Sequence, residues 1–160
     1  MSEAAGLKRW VPLVETVTAV ALAAWVGGLV ALGAFAARIA FRDLPRDLAA
    51  PTMSTIFRSF DGVVVACVVI VAVCTGLRLV LVGLRGRADR IALVSGTALT
   101  LLGALDVGWV HPSIERMFLE GRTLEPAFAA LHTLSSRSAN LEAICAILLL
   151  GAHAWARSRE

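Results

Sequence analysis

The sequence predicts an all-α integral membrane protein, a four-helix bundle with an amphipathic interfacial segment between helices 1 and 2. Three observations carry that prediction. Of the 160 residues, 58% are hydrophobic and only 17% charged, and the mean hydropathy is +0.79, which is rare for a soluble domain of this length. The apolar residues fall into four runs, about 11–37, 62–84, 91–110 and 132–156, that contain almost no charge. Each is near the roughly 20 residues that a hydrocarbon core requires. Finally, no P-loop, GxSxG, HExxH or dinucleotide-binding fingerprint occurs, so the standard enzyme signatures give no support to a soluble catalyst. The chain reads as one membrane domain.

The first run is interrupted only by Glu15. Lys8 and Arg9 before an apolar stretch ending "ALAA" imitate a cleaved signal peptide. The carboxylate and the unbroken continuation argue instead for a retained span. Ala19, Ala23, Gly27 and Ala31 recur at helical spacing, with Ala24 and Gly28 beside them. In lipid, close backbone approach drives helix association, so Ala23, Gly27, Gly28 and Ala31 are the expected packing seam. On that reading a leucine at Gly27 overpacks the bundle. Trp25 is mid-span, while Trp10, Trp109 and Trp155 fall where interfacial rings anchor.

After this span, "FRDLPRDLAAPTMSTIFRSFDG" places Met53, Ile56, Phe57 and Phe60 at helical spacing among polar groups. It is the expected amphipathic segment, lying on the membrane or continuing into span two. Span two carries Arg78 alone, with Cys67 and Cys74 one heptad apart. With Cys145 of span four they read as small packing residues, since no CxxC or His/Cys cluster accompanies them. The short "RGRADR" makes spans two and three antiparallel neighbours. Span three holds Asp106 and is expected to end at His111, because the residue before Pro112 is steered out of the helical region. In the third loop Phe118 and Leu119 are placed to dip into the headgroup layer.

Four spans put both termini and the middle loop on one side, with Lys8, Arg9, Arg85, Arg87, Arg90, Arg157 and Arg159. The other side has Arg38, Arg42, Arg46, Arg58, Arg116 and Arg122, spread over longer loops. Basic residues close to span ends mark the cytoplasmic face, so the termini are expected inside, in the inner membrane. The formal net charge of +3 reports this orientation, and nucleic acid is not an expected partner. Membrane lipids are, with a homo-oligomer or a partner membrane protein as further possibilities.

Ionisable groups at membrane depth are costly and usually face protein or water. Glu15 and Arg78 lie near the same end of their spans and are a candidate pair, with Arg78 snorkelling to the cytoplasmic headgroups as the alternative. Asp106 and Arg137 are another candidate pair, the alternative being that Arg137 snorkels outward. In span four, steps of about 100° per residue place His132, Ser135, Ser136 and Ala139 on one face, flanked by Asn140 and Glu142. This predicts a polar stripe lining a helix contact or a small wet cavity, together with Asp106 and His111. Glu142, without an expected cationic partner, is either protonated, bonding to a neighbour such as Thr100 or Thr97, or open to water. No cofactor or metal is predicted. His111 and His132 on one rim form the alternative, as haem or metal ligands.

The stretches "WVGGLVALGAFAARIAFRDLPRDLAAPTMSTIFRSFD" and "FAALHTLSSRSANLEAICAILLL" resemble the small four-helix membrane proteins of the domain of unknown function 4149 family, related to transmembrane protein 205. The specific parts are W-x-G-G in span one, F-R-x-L-P-R after it, and L-H-x-x-x-S-x-x-x-N opening span four. The resemblance implies the fold and the membrane location, and supplies no reaction. Three functional classes follow: a structural or accessory membrane subunit, which is the first expectation; a small oligomeric transport-related protein using the polar stripe; and a histidine-based redox or metal-binding protein.

Overall fold

The computed structural model describes residues 9–158, apart from the Arg46 side chain. Lys8 and Arg159 of the orientation argument lie outside the described residues. Four helices, α1 Val11–Asp43, α2 Arg46–Val82, α3 Arg87–Leu119 and α4 Pro126–Arg157, are long and apolar enough to cross a membrane, and no strand occurs among the described residues. At 32–37 residues each is about 50 Å long, so its ends reach well beyond a hydrocarbon core of roughly 30 Å. Consecutive helices pack side by side, and α4 closes the bundle against α3 and α1. The outer surface is apolar: Val20, Phe35, Val80, Val94, Leu101 and Ile147 are all exposed. Only lipid solvates such a surface. The chain is a multi-pass membrane protein.

The connectors are shorter than the sequence suggests. Only Leu44 and Pro45 separate α1 from α2, and Leu44 is extended (φ −103°, ψ 150°), the conformation favoured before a proline. The expected interfacial segment is therefore the first turns of α2, where Ala49 and Met53 are buried. Gly83 at φ 73° ends α2. Gly121, at φ 70°, ends α3 in a Schellman arrangement. There the Arg122 N–H donates to Met117 O (2.9 Å) and the Gly121 N–H to Phe118 O (3.1 Å), satisfying carbonyls the helix leaves open.

Helix α3 does not stop at His111. It passes Pro112 through a π-helical turn, Asp106–Val110, in which the His111 N–H donates to Asp106 O, five residues back. Proline lacks an N–H and its ring crowds the carbonyl four residues earlier; a widened turn just before it relieves the crowding without ending the helix. A second π turn, Ala31–Ala36, lies in α1, where the Ala37 N–H reaches Leu32 O.

The small-residue seam requires correction. Ala23, Gly27 and Ala31 are exposed on the lipid side, and a Cβ on Gly27 would meet nothing within 4 Å. Gly28 alone of the expected set lies against a neighbour, the Phe60 ring. The inward face of α1 is set by Glu15, Thr18, Leu22 and Trp25, all buried, because polar and aromatic groups gain more from the interior than alanine does. Gly27 lies about 200° around the helix from Trp25. Two further glycines outside that set, Gly96 and Gly103, also lie close against neighbouring side chains, Gly96 against Thr75 and Gly103 against Trp25 and Val68.

Candidate functional site

The bundle interior is layered. A central apolar layer of Leu22, Trp25, Val71, Leu99 and Leu149, each no more than 2% exposed, separates two polar groups. The near end carries both described chain ends and the α2–α3 loop; the far end carries the α1–α2 and α3–α4 loops.

At the near end all four helices contribute to one ion cluster. The Arg78 Nε donates to Glu15 Oε1 (3.3 Å) and its Nη1 to Asp89 Oδ1 (3.0 Å). The Arg157 Nε donates to Glu15 Oε2 (2.5 Å). Asp89 also caps α3, its Oδ2 accepting the N–H groups of Arg85 (3.2 Å) and Gly86 (2.9 Å). The expected Glu15–Arg78 pair is present; Asp89 and Arg157 complete it. The cluster holds two carboxylates and two guanidiniums and is formally neutral, the condition under which buried charge is tolerable. His153 is buried beside it, with Nδ1 unbonded.

Toward the far end the polar groups form a column. Trp25, fully buried, donates its Nε1–H to Glu142 Oε2 (3.2 Å). Glu142, 2% exposed, adjoins Asp106, 4% exposed, and Asp106 adjoins Ser138. Asp106 Oδ1, Glu142 Oε1 and Ser138 Oγ are buried without a bonded partner. Further out, His111 Nδ1 lies 2.8 Å from Asp61 Oδ1, and the Ser135 hydroxyl lies 3.4 Å from His111 Nε2. The side chains of His111 and Asp61 keep 21% and 23% exposure, respectively. Beyond them Arg58 pairs with Glu115.

The π turn builds this column. In a regular α-helix a five-residue step turns about 140°, which would direct Asp106 and His111 apart. The i→i+5 bond between them sets His111 one wide turn beyond Asp106, on the same face. On α4, Ser135, Ser138 and Glu142 follow spacings of three and four and oppose it.

The expected stripe is thus only partly assembled. Ser135 and Glu142 face inward, whereas His132, Ser136 and Asn140 are exposed. The buried stripe runs through Ser138, one residue step of about 100° from the face expected. Arg137 is exposed and forms no pair with Asp106; the carboxyl turns into the bundle while the guanidinium faces outward. Thr100 donates to Gly96 O of its own helix (2.8 Å), so Glu142 takes its bond from Trp25. The His132 ring meets Phe128 edge-on at 4.6 Å, while both nitrogens of His111 are engaged by Asp61 and Ser135. Asp61, Asp89, Ser138 and the donor role of Trp25 were not anticipated. A mid-span tryptophan was the one signal available, since its N–H needs a partner when buried.

Asp61, His111 and Ser135 have the order of an acid–base–nucleophile set. Two features oppose acyl transfer. Ser135 sits well inside α4, where the helix consumes the backbone N–H groups that would form an oxyanion hole. The next groups inward are carboxyls, which repel a developing negative charge. The arrangement is suited to moving a proton. Outside the spans, Arg122 bonds Glu125 (2.7 and 2.8 Å) and Glu120 (2.9 Å). This holds the Glu125 carboxyl below its usual range.

A family model described as domain of unknown function (DUF4149) matches residues 20–123. The matched residues include Trp25, Asp61, Asp106 and His111, and end before α4. The match carries the family; it does not bear on kinship with transmembrane protein 205. No curated protein and no solved structure matches the chain.

Proposed function

The chain belongs to the family described as domain of unknown function (DUF4149), and from that premise we propose that it is a transport-related protein of the inner membrane that binds and releases a proton inside its bundle, with both termini cytoplasmic. The observation that carries the reading is the burial of Asp106 beside Glu142, each with a free oxygen and, among the described residues, no lysine or arginine bonded to it. Two adjacent carboxylates in a low-dielectric interior cannot both stay ionised. A proton shared between them supplies the donor that each free oxygen lacks. A bundle needing only cohesion has a neutral solution available, and the near end uses it.

Orientation is supported by Arg9, Arg85, Arg87, Arg90 and Arg157 at the near end, close to the helix ends. The apolar exterior supports lipid as the immediate partner. A structural or accessory subunit is the second reading. The four-helix ion cluster favours it, since that cluster ties all four helices together and is formally neutral. The haem or metal reading at His111 and His132 loses support because Asp61 and Ser135 already occupy the His111 nitrogens.

Infrared difference spectroscopy of the purified protein tests the first reading. A protonated-carboxyl band is expected near neutral pH, altered by both Asp106→Asn and Glu142→Gln while helicity is kept. Two ionised carboxyls that titrate separately in the ordinary range would refute it. For orientation, cysteines replacing Arg87 and Gly121 in a background without native cysteines should be labelled from outside only at 121.

A further inference from the structure

We infer that the Asp106–Glu142 pair exchanges its proton with the far side of the membrane alone, and that His111 is the relay through which the exchange runs. The inference rests on the proton-handling reading above and adds its route and its sidedness.

The groups around the pair, helix by helix, leave one path. From α1 comes Trp25, whose indole N–H is a donor only and whose ring belongs to the apolar layer. From α2 comes Asp61, bonded to His111; Arg58, further out, is paired with Glu115. Helix α3 supplies Asp106 and His111. Helix α4 supplies Ser135, Ser138 and Glu142, with Cys145 near Glu142 on the inward side and His132 within electrostatic range of His111. No lysine or arginine bonds either carboxyl among the described residues. Toward the near end the path closes. Leu22, Val71, Leu99 and Leu149 pack there at 0–2% exposure, and beyond them the charges of Glu15, Arg78, Asp89 and Arg157 are committed to one another.

Toward the far end, chemistry and geometry agree. Asp61 accepts from Nδ1–H of His111, which leaves Nε2 directed at the Ser135 hydroxyl. A proton arriving from the far side adds to Nε2, and the Asp61 carboxylate offsets the imidazolium charge. The Nε2–H bond then breaks as the proton passes to Ser135 Oγ, which releases its own hydroxyl proton inward, one helical turn on, to Ser138 Oγ; Ser138 in turn gives up its hydroxyl proton to the adjoining Asp106 Oδ1. His111 returns to the neutral form, and the new O–H of Asp106 is shared with Glu142 Oε1. Release follows the same bonds in reverse. A hydroxyl can serve in this way because it donates and accepts at once.

The test is the rate at which the carboxyl band responds to a rapid pH jump in reconstituted protein. His111→Gln keeps a polar side chain but cannot cycle a proton, and should slow the response by about a hundredfold, the scale of one positioned acid–base group, with the band still present. Asp61→Asn should slow it less. His132→Gln, which alters the neighbouring imidazole, should leave the rate unchanged. If His111→Gln does not fold, Asp61→Asn carries the test by the same rate. A band that responds at the wild-type rate in the folded His111 or Asp61 variant would overturn the relay while leaving proton binding intact. Absence of the band in the wild-type protein would overturn the proton-handling reading itself.

Discussion

Replacing Gly103 by alanine should destabilise the bundle, whereas the same replacement at Gly27 should not. A Cβ on Gly103 would run into the Trp25 ring and lie 2.7 Å from Val68 Cγ2. Trp25 has 0% exposure, so its ring has nowhere to retreat, and its Nε1 is held by Glu142. Overpacking of this kind costs about 1–3 kcal/mol. Displacing the indole weakens a hydrogen bond to a carboxyl, worth about 1.5 kcal/mol or more. Against this, alanine gains about 1 kcal/mol over glycine in a helix interior. The net expectation is a loss of about 2 kcal/mol for Gly103→Ala. Gly27→Ala meets nothing within 4 Å and should be neutral or gain up to about 1 kcal/mol. Denaturant unfolding in detergent micelles, followed by far-ultraviolet circular dichroism, measures both variants. Equal stabilities, or a loss confined to Gly27→Ala, would show that the helices approach on the other face of α1 and that Trp25 is not the centre of the bundle.

Glu15→Gln removes the carboxylate shared by Arg78 and Arg157. Breaking a buried pair costs about 3–5 kcal/mol, and the loss should fall at the lower end because Arg78 keeps Asp89 and Arg157 is 55% exposed. Unfolding midpoints should therefore drop more for Glu15→Gln than for Arg58→Gln, whose pair is at the surface; the reverse order would refute the cluster's role. In the third loop, Glu125 is depressed in the folded protein by its bond to Arg122, so the clasp is intact above the unfolded carboxyl range and is lost only as pH falls through the lower folded value. Nuclear magnetic resonance titration should find the Glu125 midpoint below its ordinary value, and Arg122→Ala should return it there.

Legibility from sequence followed the physics of each feature. The four spans were readable because lipid demands long apolar runs, and the Glu15–Arg78 pair because both groups lie at one depth near the span ends. The helix bounds were read short at His111, where the proline rule is sound but a π turn evades it. That turn also hid the alignment of Asp106 with His111, which no constant period of 3.6 residues can place on one face. On α1 the row of small residues competed with Glu15, Thr18 and Trp25 for the interior, and the latter set prevailed. On α4 the buried face is rotated from the expected one, so that Ser138 is buried while Ser136 is exposed. Periodicity names a face only to within the width of a side chain.

The wiring of the near-end cluster has a consequence for how the protein is made. Glu15 is separated from Arg78 by 63 residues of chain and from Arg157 by 142. When α1 first leaves the ribosome and enters the translocation channel, both of its eventual counter-charges are still unsynthesised. The carboxylate must stay at the aqueous margin, or in the channel, until α2 delivers the first guanidinium. It gains the second only when α4 arrives. Insertion as an α1–α2 hairpin, which brings Glu15 its first counter-charge, is thereby favoured over entry of α1 alone.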